Sequence, residues 1–129
     1  MMKYGNRKVV IDGIQFDSAK EANRYCELKL LQRAGQITDL ELQKEFELIP
    51  AQYETFERYG KNGKRLQDGK RCVEKSCIYK ADFVYRTKDG KLVVEDTKGY
   101  RDPSSAGYAK FVIKRKLLLW RYGIKIVEI

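Results

Sequence analysis

Hydrophobic and polar positions alternate in short runs at the start of the chain. Val9–Ile11 and Ile14–Phe16 are two apolar runs on either side of an Asp-Gly pair at 12–13. Asp-Gly between two such runs is typical of a tight turn between antiparallel strands. The pattern therefore predicts a small N-terminal β-hairpin.

A helix is expected directly after this hairpin. Ser18 is a suitable N-cap, Glu21 stands three positions later as in a capping box, and the Ala-Gly pair at 34–35 supplies a C-terminal stop. At 100° per residue, Glu21 lies between Tyr25 and Leu28, on the flank of the apolar stripe that must face a sheet. The carboxylate of Glu21 therefore has two open roles, as a capping group or as an acid directed at the sheet.

Three strands are predicted after the first helix. The segment 40–48 alternates, which predicts a strand with four apolar side chains on one face: Leu40, Leu42, Phe46 and Leu48. Residues 78–85 and 92–97 are rich in β-formers and are joined through Lys-Asp-Gly at 88–90, which predicts a second hairpin.

The end of the chain returns to helix and strand. Pro103, Ser104 and Ser105 form a start signal for a helix that extends to about Tyr122, where Gly123 ends it, and residues 124–129 form a last strand. The predicted order is thus a hairpin followed by α-β-β-β-α-β, within one domain spanning residues 1–129. The fold class is α/β, of the α+β type.

Residues 50–77 break this regular pattern. Between Arg58 and Lys75, seven basic residues stand against two acidic ones, with three glycines interspersed. We expect a mobile basic loop or flap, and a solvated insertion that touches nothing is the alternative.

Charge narrows the range of partners. The chain of 129 residues has 27 Lys and Arg against 18 Asp and Glu, a net charge of +9, which favours a polyanion as partner. It has no histidine, which excludes Ser-His-Asp and Cys-His catalysis and imidazole zinc sites.

The longest apolar run, at 117–120, is far shorter than the ~20 residues of a membrane span. Three cysteines without an apolar leader favour a reducing cytoplasm.

The second hairpin places its acids according to the length of its turn. A two-residue loop would put Asp82 opposite Thr97, whereas a three-residue loop with Gly90 in the left-handed conformation would put Asp82 opposite Asp96. Only the second register brings both acids to one face. Two carboxylates ~5 Å apart on neighbouring strands repel each other unless a cation such as Mg²⁺ lies between them.

Strand periodicity also separates the two adjacent acids of the last hairpin strand. Asp96 and Lys98 share one face, while Glu95 lies on the other. A lysine beside two acids can orient or deprotonate a water that attacks a phosphate. An ordinary exposed strand end is the alternative, because short matches of this kind are common by chance.

These residues in this order resemble the PD-(D/E)XK nuclease superfamily. Glu21 is on the first helix, Asp82 on the second strand and Asp96-Thr97-Lys98 on the third. The stretches FDSAKEANRYCELKLLQRAGQITDLELQ, YKADFVY and VVEDTKGY are similar to an uncharacterised family carried by phages and prophages, related to Holliday-junction resolvases and transposon endonucleases. The resemblance covers nearly the whole chain except the basic insertion.

The resemblance implies a restriction-endonuclease-like fold, in which helices flank a four-stranded mixed sheet. It also implies Mg²⁺-dependent hydrolysis of DNA, with Mn²⁺ as a substitute, and an active site made of Glu21, Asp82, Asp96 and Lys98, whose three acids hold the metal. Here Ala81-Asp82 replaces the Pro-Asp of the signature, and the second acid is Asp rather than Glu. Gln43 matches a glutamine that some members place near the site.

Two basic groups are candidates for contact with DNA. The first lies in the insertion and comprises Lys64, Arg65, Lys70 and Arg71; the second lies on one face of the last helix and comprises Lys110, Lys114 and Arg121. A solvated basic face is the alternative for each. Arg115 falls among apolar positions of that helix and either snorkels or reaches inward or toward a partner subunit of a possible homodimer.

Two functions follow from these expectations. The first is a metal-dependent endonuclease that acts on branched or structured DNA during phage recombination or replication, in the cytoplasm of a bacterial host. The alternative is a non-catalytic DNA-binding protein that keeps the nuclease fold. Clustered acids that repel phosphate have no use on a pure binding surface, which favours the enzyme.

Overall fold

The computed structural model describes residues 8–97 and 104–129. In chain order, the helices and strands are β1 (Val9–Ile11), β2 (Ile14–Phe16), α1 (Ala19–Arg33), β3 (Ile37–Ile49), β4 (Gln52–Tyr59), β5 (Arg65–Glu74), β6 (Cys77–Thr87), β7 (Leu92–Asp96), α2 (Ala106–Tyr122) and β8 (Ile126–Glu128).

Four of the strands form a mixed sheet in the order β3-β6-β7-β8. The pairs β3-β6 and β6-β7 are antiparallel, and β7 runs parallel to β8 across the connection through α2. β1 and β2 form the N-terminal hairpin. The predicted order of the core elements and the mixed four-stranded sheet with its helices and hairpin are confirmed, and β4 and β5 are additional strands.

Helix α1 covers one side of the sheet. Its N-cap is Ser18, whose hydroxyl accepts a hydrogen bond from the Glu21 backbone N–H at 3.1 Å, as the sequence predicts. The helix buries Glu21, Ala22, Tyr25 and Leu28, so the expected stripe faces inward. The apolar residues packed here form the helix-1 cluster: Phe16, Ala22, Tyr25, Leu28, Ile37, Phe83 and Tyr85.

Helix α2 contributes to a second core. Ser105 caps its N-terminus, and Gly123, with φ of +69°, ends it in the left-handed conformation that glycine adopts without steric cost. Pro103, the first residue of the predicted start signal, lies outside the described residues. The helix-2 cluster consists of Phe46, Leu48, Tyr79, Ala81, Val84, Val94, Phe111 and Leu118. Neither described helix is long and apolar enough to cross a membrane.

The prediction that the apolar residues of β3 share one face is wrong. Leu42 packs beside the helix-1 cluster, while Phe46 belongs to the helix-2 cluster. The change of face falls at Gln43, whose φ of +54° lies outside the extended region that keeps side chains alternating. A side chain at this point faces neither core fully.

The neighbouring strand β6 changes face at the same level. Tyr79 and Ala81 belong to the helix-2 cluster, but Phe83 belongs to the helix-1 cluster, so the interruption falls at Asp82. Val84 packs with Tyr79 and Ala81, although regular alternation along β6 would place it on the opposite face from them. Gln43 and Asp82 are thus neighbours at an irregularity shared by two strands, between the two cores.

The basic insertion 50–77 is not a loop. It contains β4 and β5, which pair with each other as an antiparallel ribbon, and it includes the first residue of β6. We call the ribbon 52–74 the arm. The arm could not be predicted from the sequence, because strands without a buried face need not alternate between apolar and polar residues.

Candidate active site

The turn between β6 and β7 decides which acids face each other. The Thr87 N–H donates to the Lys91 carbonyl at 2.9 Å, the Gly90 N–H donates to the Thr87 carbonyl at 2.9 Å, and Gly90 has φ of +84°. This is the predicted three-residue loop. In its register Phe83 pairs with Glu95. Asp82, which precedes Phe83 on β6, is therefore opposite Asp96, which follows Glu95 on β7.

Asp82 is anchored by the end of β7. Its Oδ2 accepts hydrogen bonds from the backbone N–H and the hydroxyl of Thr97, both at 2.8 Å. Burial raises the pKa of Asp82 and the nearby Asp96 raises it further, while the hydrogen bonds from Thr97 act in the opposite direction. The carboxylate is thus held in one orientation beside a second negative charge.

Gln43 lies between Asp82 and the acid of α1. Its amide nitrogen Nε2 is 3.3 Å from Asp82 Oδ1 and 3.3 Å from Glu21 Oε2. The amide hydrogens thus occupy a position between two carboxylates where a cation would also be stabilised. A positive φ in a non-glycine residue costs about 1–3 kcal/mol, and such strain is concentrated at functional sites.

Glu21 is buried at 6% exposure and points toward these groups. Burial, and next the charge of Asp82, raises its pKa to about 7. Its backbone N–H completes the helix cap, but its side chain hydrogen-bonds to Gln43. Of the two roles that the sequence left open for the carboxylate, the structure therefore shows an acid directed at the sheet, while the contact with Ser18 is made by the Glu21 backbone N–H.

Asp96 is held by a tyrosine from the neighbouring strand. The Tyr79 hydroxyl donates to Asp96 Oδ2 at 2.5 Å, and Asp96 is 4% exposed. Burial and the Asp96 carboxylate raise the pKa of Tyr79 well above its usual range, so the phenol stays protonated and remains a donor. The Ile129 N–H donates to the Asp96 carbonyl at 2.9 Å, which joins the end of the chain to this strand.

Glu95 points to the other side of the sheet, as alternation predicts. Arg24 of α1 binds its carboxylate through two nitrogens, at 2.8 Å from Nε and 2.6 Å from Nη2, and the Tyr85 hydroxyl donates to the same group. Glu95 is 1% exposed. This pair has a structural role, so we expect a substitution of Glu95 to lower the stability of the fold.

The donor chemistry of the acids suits a hard divalent cation. Mg²⁺ prefers carboxylate oxygens and keeps several waters. Within residues 8–97 and 104–129, no three acidic or thiol side chains converge closely enough to chelate a metal in their present rotamers. The Gln43 amide separates Glu21 from Asp82, so binding by all three acids requires this amide to move or to turn its carbonyl oxygen inward. Lys98 lies outside the described residues.

The candidate DNA-binding residues lie on the arm and on α2. Lys64, Arg65, Lys70 and Arg71 are all exposed on the arm, where Arg65 and Arg71 also form ion pairs with acids of the arm. On α2, Lys110 is exposed and Lys114 is half-buried, but Arg121 is engaged with Glu47 of β3. Arg115 reaches Glu128 of β8 at 3.4 Å.

Several residues of this region had no distinct signal in the sequence. Thr97 lies between two predicted site residues, and only the structure shows that it binds Asp82. Tyr79 was hidden by the change of face, since strict alternation would have separated it from Asp96. Arg24 resembled an ordinary exposed helix residue.

The family described as "Protein of unknown function (DUF1064)" matches residues 1–126. The chain belongs to this family. No curated protein and no solved structure matches it. The DUF1064 match spans Glu21, Gln43, Asp82 and Asp96 as well as the arm, so the acids and the ribbon lie within the family's own extent.

The raised pKa of Glu21 predicts a pH-dependent stability. Between about pH 4.5 and 7 the folded protein holds a proton that the unfolded chain releases, so the free energy of unfolding falls as the pH rises through this window. The shift corresponds to about 3 kcal/mol as an upper bound. Urea denaturation in EDTA is expected to show this fall in the wild type. Glu21→Gln should show a smaller fall over this range, and equal slopes for the two proteins would contradict the assignment.

Proposed function

We propose that this protein is a divalent-metal-dependent DNA endonuclease whose active site contains Glu21, Asp82 and Asp96. The observation that carries the proposal is the arrangement of these acids. Two paired strands and a helix bring three buried or half-buried carboxylates near enough that the charges of Asp82 and Asp96 both raise the pKa of Glu21, and the pKa of Asp82 is raised as well. Repelling acids destabilise a fold, so their concentration here favours a functional role.

The acids would hold the metal through carboxylate oxygens. Asp82 and Asp96 come from paired strands whose register is set by a tight turn, and Glu21 comes from the first turn of α1. A bound Mg²⁺ would polarise the scissile phosphate and lower the pKa of a water molecule. The hydrogen bonds from Thr97 and Tyr79 fix the orientation of the two aspartates.

Hydrolysis requires a water oxygen to bond to phosphorus while one phosphorus–oxygen ester bond breaks. One DNA end then carries a phosphate and the other a hydroxyl. The proton that the attacking water loses passes to a neighbouring amine or to solvent. Lys98, assigned from the sequence pattern, is proposed to orient this water and to balance the charge that develops on the phosphate.

The proposal also covers the substrate, the cellular compartment and the oligomeric state. The net charge of +9 supports a polyanionic substrate. A preference for branched or structured DNA, a bacterial cytoplasm under phage infection and a homodimer remain predictions from the sequence.

Cleavage of a panel of DNA substrates tests this function. Linear duplex, single-stranded, flap and four-way-junction DNA are incubated with the protein in Mg²⁺ or in EDTA. We expect cleavage of at least one substrate in Mg²⁺ and none in EDTA. Binding to DNA without cleavage of any substrate would instead favour the non-catalytic DNA-binding protein.

A further inference from the structure

The arm continues the strands β3 and β6, at one edge of the sheet, beyond that sheet. Ile49 pairs with Cys77 at the end of β3-β6, and Gln52 pairs with Glu74 at the start of β4-β5, so the same register runs through both. Only two residues on each strand separate the two ladders. The arm is therefore an ordered extension of the strands that carry Gln43 and Asp82.

Both faces of the arm are open to solvent. Every residue of β4 is exposed, and so is every residue of β5 except Gly69. Phe56 lies over Gly69, where a Cβ atom would collide with its ring, so the two strands are packed against each other. An ordered ribbon without a buried face contributes little to a hydrophobic core, which points to a role outside folding.

Aromatic rings on the arm are paired with cations. Lys70 lies 4.3 Å from the ring centre of Tyr53, Arg71 lies 4.5 Å from that of Phe56, and Arg65 lies 5.8 Å from that of Tyr59. These three pairs are cross-strand neighbours or diagonals. Segment 50–77 has seven basic and four acidic residues, a net charge of +3.

The tip of the arm presents two further lysines. The Gly60 N–H donates to the Lys64 carbonyl at 2.8 Å, the Gly63 N–H donates to the Gly60 carbonyl at 3.0 Å, and Gly63 has φ of +72°. Lys61 and Lys64 are exposed on either side of this turn. The turn has the same form as the one at Gly90, which Lys88 and Lys91 flank in the same way.

We infer that the arm enters the major groove of double-stranded DNA. One layer of strands with its side chains is about 10 Å thick, and the major groove is about 12 Å wide, whereas the minor groove, at about 6 Å, is too narrow. The eight residues of β4 extend over about 26 Å, so the ribbon can reach from one phosphate strand across the groove. The cations of the arm then face the phosphates on both sides.

This inference rests on the proposal that the protein acts on DNA, and it adds how the DNA is held. The arm lies beyond one end of β6, and Asp82 lies within that strand. Duplex bound by the arm therefore extends away from the acidic site. The substrate must then include a segment of double-stranded DNA next to the bond that is cleaved.

Dimethyl sulfate footprinting in EDTA tests the inference, because the reagent modifies guanine N7 in the major groove and adenine N3 in the minor groove. The variant is Lys61→Gln with Lys64→Gln. Lys88→Gln with Lys91→Gln is the matched control, since it removes the same charge from a turn of the same form, which follows the end of β6 away from the arm. Circular dichroism verifies that both variants fold.

The wild type and the control are expected to protect guanine N7 and to leave adenine N3 reactive. The tip variant should lose part of this protection and bind duplex up to about 60-fold more weakly at 0.1 M salt, as expected for two lost phosphate contacts. Equal protection by tip variant and control, or protection confined to adenine N3, would overturn the inference alone. Absence of DNA binding by the wild type would overturn the inference and the proposed function together.

Discussion

Replacing Asp96 by asparagine is expected to reduce Mg²⁺-dependent DNA cleavage by at least about 10³-fold. The substitution keeps the shape of the side chain and removes the charge that a metal ion requires. The carbonyl oxygen of the amide side chain can still accept the hydrogen bond from Tyr79. The free energy of unfolding should therefore change by less than about 1 kcal/mol, and loss of the repulsion that raises the pKa of Asp82 offsets part of any cost.

Cleavage rate, unfolding and DNA affinity in EDTA are measured on the same preparation of the Asp96→Asn variant. Affinity should be unchanged or higher, because a negative charge near the phosphate is gone. Asp89→Asn, in the exposed turn between β6 and β7, removes one charge away from the site and should cleave as the wild type does. Wild-type cleavage by the Asp96→Asn variant would show that Asp96 has no role in the reaction.

The adjacent substitution Glu95→Gln is expected to act on stability instead. It breaks the ion pair with Arg24 and leaves that guanidinium, about one fifth exposed, without its buried partner. Loss of one partner of a buried pair costs about 3–5 kcal/mol. The lower end of this range applies here, because Glu27 still contacts Arg24 at 2.8 Å. Thermal unfolding should shift down by roughly 10 °C.

Cleavage by the Glu95→Gln variant, measured well below its unfolding temperature, should remain close to that of the wild type. Tyr85→Phe is the graded control, since it removes a single hydrogen bond to Glu95 and should cost about 1 kcal/mol. A variant as stable as the wild type but inactive would reverse the assignment of the two acids and show that Glu95 faces the substrate.

Local turn chemistry made much of the sheet predictable. Asp12 and Gly13 both have positive φ, as a two-residue hairpin turn requires, and this fixed the first hairpin. Gly90 adopts the left-handed conformation that distinguishes the three-residue loop from the two-residue one. Once that loop is known, alternation along the short strand β7 assigns Asp96 and Glu95 to opposite faces.

Long-range effects could not be predicted in the same way. The change of face at Gln43 depends on a positive φ. Glycine and asparagine are the residues that usually indicate a positive φ in a sequence, and this position is a glutamine. The partner of Glu95 is 71 residues away, and nothing in the pattern of α1 distinguishes Arg24 from its solvated neighbours. The arm has no buried face, so its residues resembled a basic loop.

The candidate site was predictable in its members but only partly in its arrangement. Helical geometry indicated that Glu21 flanks the buried stripe, and its side chain does turn inward. The position of the Gln43 amide between Glu21 and Asp82 follows from the irregularity in β3 and β6, which periodicity does not reveal. The sequence therefore indicated the three acids, and the structure added the amide that lies between two of them.

Isothermal titration calorimetry with Mn²⁺, at neutral pH and without DNA, tests most directly whether Glu21, Asp82 and Asp96 form one cation site. The wild type and the Asp89→Asn control should bind the ion. Asp82→Asn and Asp96→Asn should each lose this binding while remaining folded. Binding that persists in both of these variants, or a folded wild type that binds no divalent cation, would contradict the site.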